Sequence, residues 1–123
     1  MMAKTIMVID DSASIRQVVN LTLKRAGYDI IEACDGKDAL GKLAGQKVNL
    51  MVCDVNMPNM DGITFLKSLK EQPAYRFTPV IMLTTESQES KKQEGKAAGA
   101  RAWVVKPFKP EQMLEAVSKL IMP

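Results

Sequence analysis

Short apolar runs alternate along this chain with stretches whose apolar residues recur every three or four positions. Thr5-Ile6-Met7-Val8-Ile9 reads as a first strand. After it Ile15, Val18, Val19 and Leu23 fall at helical spacing, and Ala26-Gly27 ends that helix. Residues 28–33 predict a second strand, and residues 36–44 a short helix with Ala39, Leu40 and Leu43 turned inward. The run 48–53 carries no charge, which predicts a central strand buried on both faces. Asp61 is placed to cap a helix that buries Phe65, Leu66 and Leu69. Residues 79–83 and Ala102–Val105 predict the fourth and fifth strands, and Met113, Leu114, Val117, Leu120 and Ile121 give the last helix an apolar stripe. Five strands alternating with five helices predict an α/β fold, a doubly wound parallel sheet covered on both faces.

One predicted helix is unlike the others. Between residues 87 and 100 the apolar residues are all alanines, set among Lys91, Lys92, Glu94 and Lys96. A helix with so little to bury is held weakly and is expected to move first, although a plain solvated helix has the same pattern.

The polar positions that matter are those where the apolar runs stop. Asp10 and Asp11 close the first run, Asp54 the third, and Lys106 the fifth. In a parallel sheet all four side chains gather at one edge, and a doubly wound sheet places its site there, beyond the carboxyl ends of its strands. Three crowded carboxylates repel one another, so they call for a hard divalent cation such as Mg²⁺, which works alongside phosphate groups. One carboxylate, Asp54, is then left as a nucleophile toward a phosphoryl group. Lys106 and the hydroxyl of Thr84, at the end of the fourth run, are placed to hold phosphoryl oxygens. Singly, each residue has a plainer reading. Asp10-Asp11 before Ser12 could cap a helix, Asp54 could serve a turn, and Lys106 could be a solvated strand end. All of them at strand ends, in this order, are much harder to obtain by chance.

Composition narrows the chemistry. With 123 residues, 46% of them apolar, the chain fits one domain with a real core, expected to span residues 1–123 without an output domain. It has no histidine, which removes serine–histidine and cysteine–histidine catalysis, histidine-bound metals and any role as a phosphohistidine carrier. A net charge of +3 without a dense basic block gives no reason to expect direct nucleic-acid binding. No run approaches the ~20 apolar residues of a membrane span, and no secretory pattern opens the chain, so a cytoplasmic location is expected. Cys34 and Cys53 fit no zinc or disulfide framework and are expected to be small core residues.

Four segments carry a family resemblance along nearly the whole chain. They are Val8-Ile9-Asp10-Asp11-Ser12, the run Asp54-Val55-Asn56-Met57-Pro58-Asn59-Met60-Asp61-Gly62, Met82-Leu83-Thr84-Thr85-Glu86, and Trp103-Val104-Val105-Lys106-Pro107-Phe108. The chain resembles a receiver domain of two-component signalling, of the CheY-like, single-domain chemotaxis type. The resemblance implies the flavodoxin-like strand order 2-1-3-4-5, which makes strands one and three neighbours and joins Asp10 and Asp11 to Asp54. It implies that Asp54 is the phosphoacceptor, that Asp11 binds Mg²⁺ directly and Asp10 partly through water, and that Asn56 offers its main-chain carbonyl. It also implies a cis Lys106–Pro107 bond, where the residues alone would favour a trans turn. Thr84 and Trp103 resemble the coupled switch pair, although Trp103 equally reads as core.

Two positions depart from the commonest family pattern. Trp103 stands where tyrosine or phenylalanine is usual, so an imperfect inward fit of the indole is expected. Thr85 stands where alanine or glycine is common, and its bulk is expected to slow water at Asp54. Asn56 and Glu86 match positions that help to orient that water. The resemblance implies a phosphorylation switch rather than an enzyme, with no chemistry beyond its own phosphorylation and autodephosphorylation. Its donor would be a sensor histidine kinase or phosphotransfer protein. The expected output is docking of the monomer through its helix four, strand five and helix five face. Lys91, Lys92, Lys96 and Lys109 on or near that face suggest an acidic partner such as a flagellar-switch segment. Chemotaxis or motor control is expected, with a phosphorelay as the alternative. A haloacid-dehalogenase-type phosphatase would need Asp-x-Asp after the first strand, where Asp11 is followed by Ser12 and Ala13. A flavodoxin-like FMN protein would need a phosphate loop there, and Asp10-Asp11 would repel it.

Overall fold

The computed structural model describes residues 3–85 and 90–121. Its elements run β1 (Thr5–Ile9), α1 (Ala13–Arg25), β2 (Asp29–Ala33), α2 (Gly36–Leu43), β3 (Leu50–Asp54), α3 (Gly62–Lys70), β4 (Val80–Thr84), α4 (Lys91–Ala98), β5 (Ala102–Val105) and α5 (Pro110–Leu120). All strand pairings are parallel, and the sheet order is β2-β1-β3-β4-β5. The doubly wound α/β fold expected from the sequence is therefore the fold observed.

Strand alternation sorts the apolar residues into two cores. Met7, Ile9, Met51, Cys53, Val80 and Met82 face the side covered by Ala39 and Leu43 of α2 and Phe65, Leu66 and Leu69 of α3. Their neighbours Ile6, Val8, Leu50, Val52, Ile81 and Leu83 face the other side, with Val19 and Leu23 of α1 and Met113 and Val117 of α5. Successive side chains point to opposite faces, so an uncharged run such as β3 fills both cores at once. Every residue of β3 and of β4 is buried.

Helix ends follow local chemistry. Ser12, Asp35 and Asp61 each cap a helix by accepting a backbone N–H, from Ile15, Asp38 and Thr64 respectively. Pro110 opens α5, where its missing N–H costs nothing.

Strand and helix ends shift by a residue or two, and four differences have a clear cause. β3 starts at Leu50 rather than Val48 because Asn49 is occupied in joining β1: its N–H donates to the Thr5 carbonyl and its side chain accepts the Thr5 N–H at 2.9 Å. Val18 is half exposed, since Val19 and Leu23 take the inner face of α1. Cys34 is exposed rather than core, because β2 is an edge strand and the chain has already left it for the α2 cap. The predicted helix over residues 87–100 is described as α4 from Lys91 to Ala98, its first residues lying outside the described segment. Gly95 is the one buried residue of α4, in keeping with its alanine-only stripe. Among the described residues no helix is long and apolar enough to cross a membrane.

Candidate functional site

The four strand ends converge. Asp10 follows β1 and is fully buried; one carboxylate oxygen accepts the Ser12 N–H at 2.9 Å and the other accepts the Lys106 ammonium at 3.1 Å. Asp54 ends β3, 5% exposed, with an oxygen 3.2 Å from the same ammonium. Asp11 sits exposed at the rim, and oxygens of Asp10, Asp11 and Asp54 all lie within 4.8 Å of one another. Thr84 is buried at the end of β4, and its carbonyl accepts the Lys106 N–H at 2.6 Å. The Lys106–Pro107 bond is cis. Thr85 is exposed, and Glu86 lies outside the described residues.

Charge is out of balance in this pocket. Burial, followed by repulsion from Asp10, pushes the Asp54 carboxyl up to about 6, against the pull of Lys106 and of the Asn56 N–H that donates to it. Burial alone would lower the Lys106 ammonium, but attraction from Asp54 and the hydrogen bond and charge of Asp10 outweigh it and leave that pKa raised. One ammonium cannot neutralise three carboxylates. The donor set therefore fits a hard divalent cation: the ligands are oxygens, they bear excess negative charge, and they are close.

Trp103 lies on the same sheet face as Thr84. It pairs with Met82, two residues before Thr84, and its half-buried indole packs against the core under α3 and α4. The six-membered ring rests on α4 at Gly95, where a Cβ would run into ring carbons Cζ2 and Cη2. Among the described residues the enclosed indole N–H has no hydrogen-bond partner. Beyond Trp103 and Lys106, β5 and α5 bound a groove of about 780 Å³ lined by Val105, Gln112, Glu115 and Lys119 among others.

Several neighbours of the site were not singled out from the sequence. Arg16 reaches back from α1, its guanidinium donating to the Asp10 carbonyl and pairing with Glu32 at 3.3 Å. Asp35 at the cap of α2 and Asn59 in the loop after β3 meet, the Asn59 amide donating to the Asp35 carboxylate at 2.8 Å. Asp35 immediately before Gly36 and a predicted helix was a visible capping signal, but its second partner lies 24 residues away and leaves no mark in local sequence.

A five-stranded parallel sheet of this order, with an acidic pocket at the strand ends and a lysine reaching in from β5, defines the receiver class of α/β proteins. Residues 6–118 match the model of the response regulator receiver domain, and the chain belongs to that family. It is 39% identical to protein PilG of Pseudomonas aeruginosa over 91% of this chain and 83% of PilG. It is 38% identical to the alkaline phosphatase synthesis transcriptional regulatory protein PhoP of Bacillus subtilis over 98% of this chain and 49% of PhoP, so it spans about half of that regulator. Among solved structures it resembles the chemotaxis response regulator CheY4 of Vibrio cholerae, with 46% identity, a TM-score of 0.92, and coverage of 98% of this chain and 100% of that one.

Proposed function

We propose that this receiver domain is a signalling switch set by phosphorylation of Asp54. A carboxylate oxygen of Asp54 attacks the phosphorus of a phosphohistidine on a sensor kinase or phosphotransfer protein. The phosphorus–nitrogen bond breaks, and the departing imidazole takes up a proton. Lys106 turns from bridging Asp10 and Asp54 to holding a phosphoryl oxygen, and the Thr84 hydroxyl holds another. Asp10, Asp11, Asp54 and the main-chain carbonyl of Asn56 would hold a Mg²⁺ ion, which would supply positive charge against the incoming phosphoryl oxygens. The reaction needs positioning and charge neutralisation more than proton shuttling, which suits a site with no histidine. Asn56, Thr85 and Glu86 tune how fast water removes the phosphoryl group. The chain turns over no other substrate.

The observation that carries this reading is the placement of Asp54, buried at the end of β3 between Asp10 and Lys106 with its carboxyl raised to about 6. A nucleophile held against like charge gains most from a reaction that brings a cation and a phosphoryl group to it. Acetyl phosphate with Mg²⁺ should label the wild type stoichiometrically with acid-labile phosphate, and Asp54→Asn should take up none. Labelling of Asp54→Asn at the wild-type level would sink the assignment.

Output runs through the α4, β5 and α5 face. Trp103 shares the sheet face of Thr84 and rests on α4 at Gly95, and Lys106 itself lines the groove between β5 and α5. Lys96 and Lys109 are exposed there, Lys91 is paired with Glu94 at 3.8 Å, and the partner that suits them is acidic. Similarity to a chemotaxis regulator favours motility control as the pathway.

A further inference from the structure

The loop between β3 and α3 carries Asn56, and its two ends are anchored by the sheet. The Val55 N–H donates to the Leu83 carbonyl at 3.1 Å, and the Gly62 N–H returns to the Val55 carbonyl at 2.9 Å. Its middle is tied to a different element. Asn59, in the left-handed region at φ 67°, donates its amide to Asp35, the N-cap of α2. The other oxygen of Asp35 accepts the Asp38 N–H at 2.8 Å, so both ends of this carboxylate are engaged and its position is fixed. Beside it, Met60 packs onto Gly36 so closely that a Cβ there would lie 2.7 Å from the methionine Cγ. The hydrogen bond and the methionine thus clamp the loop to the start of α2.

We propose that Asp35 and Asn59 are positioning residues for the divalent-cation site, holding the loop so that Asn56 stays in place beside Asp54. The inference rests on the metal reading given above and extends it to residues that touch neither metal nor phosphate. Asn56 already donates its N–H to the Asp54 carboxylate, so the order of this loop is set before any cation arrives. Without the clamp, ordering the loop is charged against cation binding instead of against folding, and about a five- to tenfold loss of Mg²⁺ affinity follows.

Two substitutions remove the clamp while respecting the local backbone. Asn59→Gly keeps a residue at ease with positive φ, and Asp35→Ser keeps a good helix cap that is too short to reach Asn59. Mg²⁺ affinity of each variant is measured by calorimetry, and the acetyl-phosphate labelling rate is followed against Mg²⁺ concentration. Both variants should lose affinity about five- to tenfold, the double variant should lose no more than either one, and labelling at saturating Mg²⁺ should return to near the wild-type rate. A residue that merely supports the fold would not produce that split. The swapped pair, Asp35→Asn with Asn59→Asp, should recover affinity relative to Asn59→Asp alone, because the donor and acceptor exchange places. Wild-type affinity in both single variants, or losses that add in the double variant, would overturn the clamp. Asp11→Ala separates this failure from the larger one. If Asp11→Ala also binds Mg²⁺ like the wild type, the metal site itself is wrong and the clamp falls with it; if Asp11→Ala alone is weakened, only the clamp is wrong.

Discussion

At the scale of single residues, the pocket is held in a state that folding alone would not choose. Asp54 pays for burial beside Asp10, and its carboxyl is raised from 3.8 to about 6. A carboxyl whose folded pKa lies above its unfolded value binds more protons folded than unfolded between those two values. In the metal-free protein, stability therefore falls as pH rises from about 4 to about 6 on account of this group, and the penalty stays constant above that. Asp54→Asn removes the ionisation and keeps the shape. In EDTA it should be as stable as the wild type near pH 4 and more stable above pH 6, by on the order of 1–3 kcal/mol. Urea unfolding at a series of pH values reads this directly, and a gap of constant size across the series would show that Asp54 is not the titrating group. The carboxylates and Lys106 were legible in the sequence because each stands where an apolar run ends. Their state of charge was not, because it depends on which strands are neighbours and on how deeply Asp54 is buried.

At the scale of elements, the contact between β5 and α4 is the least ordinary. A tryptophan where the family more often has a smaller aromatic was expected to fit poorly inward. The structure meets that bulk with Gly95, whose missing side chain gives the indole ring its place against α4. Trp103 was readable as switch or core, but its pairing with Gly95 was not, since a glycine inside a weak helix looks like an ordinary helix-weakening residue. The same weakness was legible: α4 has only alanines to bury, and Gly95 is its one buried residue. The other helices were readable because their apolar stripes repeat with the helical period. Val18 and Cys34 were misplaced because spacing alone does not say which side of α1 is inward or that β2 is an edge strand. Gly95→Ala sets helix propensity against packing. It should gain up to about 1 kcal/mol of intrinsic helix stability, yet force the indole away from α4. The readout is tryptophan emission, red-shifted and more open to acrylamide quenching than in the wild type. Because Trp103 is the only tryptophan and Val55 follows Asp54, no second indole obscures the signal. Unchanged emission and quenching would mean that Gly95 is not what holds the ring.

At the scale of the whole molecule, the pocket joins elements that the two cores otherwise hold apart. Asp10 and Asp11 follow β1, Asp54 ends β3, and Lys106 follows β5 at the far edge of the sheet. The segments that supply these carboxylates are brought together only by the native strand order, so an unfolded chain offers no comparable cluster. A cation bound there must therefore stabilise the fold as a whole, by an amount set by its concentration relative to its dissociation constant. At ten times that constant the gain is about 1.4 kcal/mol, which for a domain of this size corresponds to a rise of roughly 4–6 °C in Tm. The site also sets an order among variants. Asp54→Asn begins with a higher Tm in EDTA because its repulsion is already relieved, and Mg²⁺ should raise it less because a charged ligand is gone. Asp11→Ala should respond least, having lost the ligand at the open rim. Thermal scans above pH 7, with and without Mg²⁺, test all three together. A wild-type Tm indifferent to Mg²⁺, or equal shifts in all three proteins, would mean that these carboxylates do not bind the ion as a group, and the charge imbalance around Asp54 would then need another source of relief.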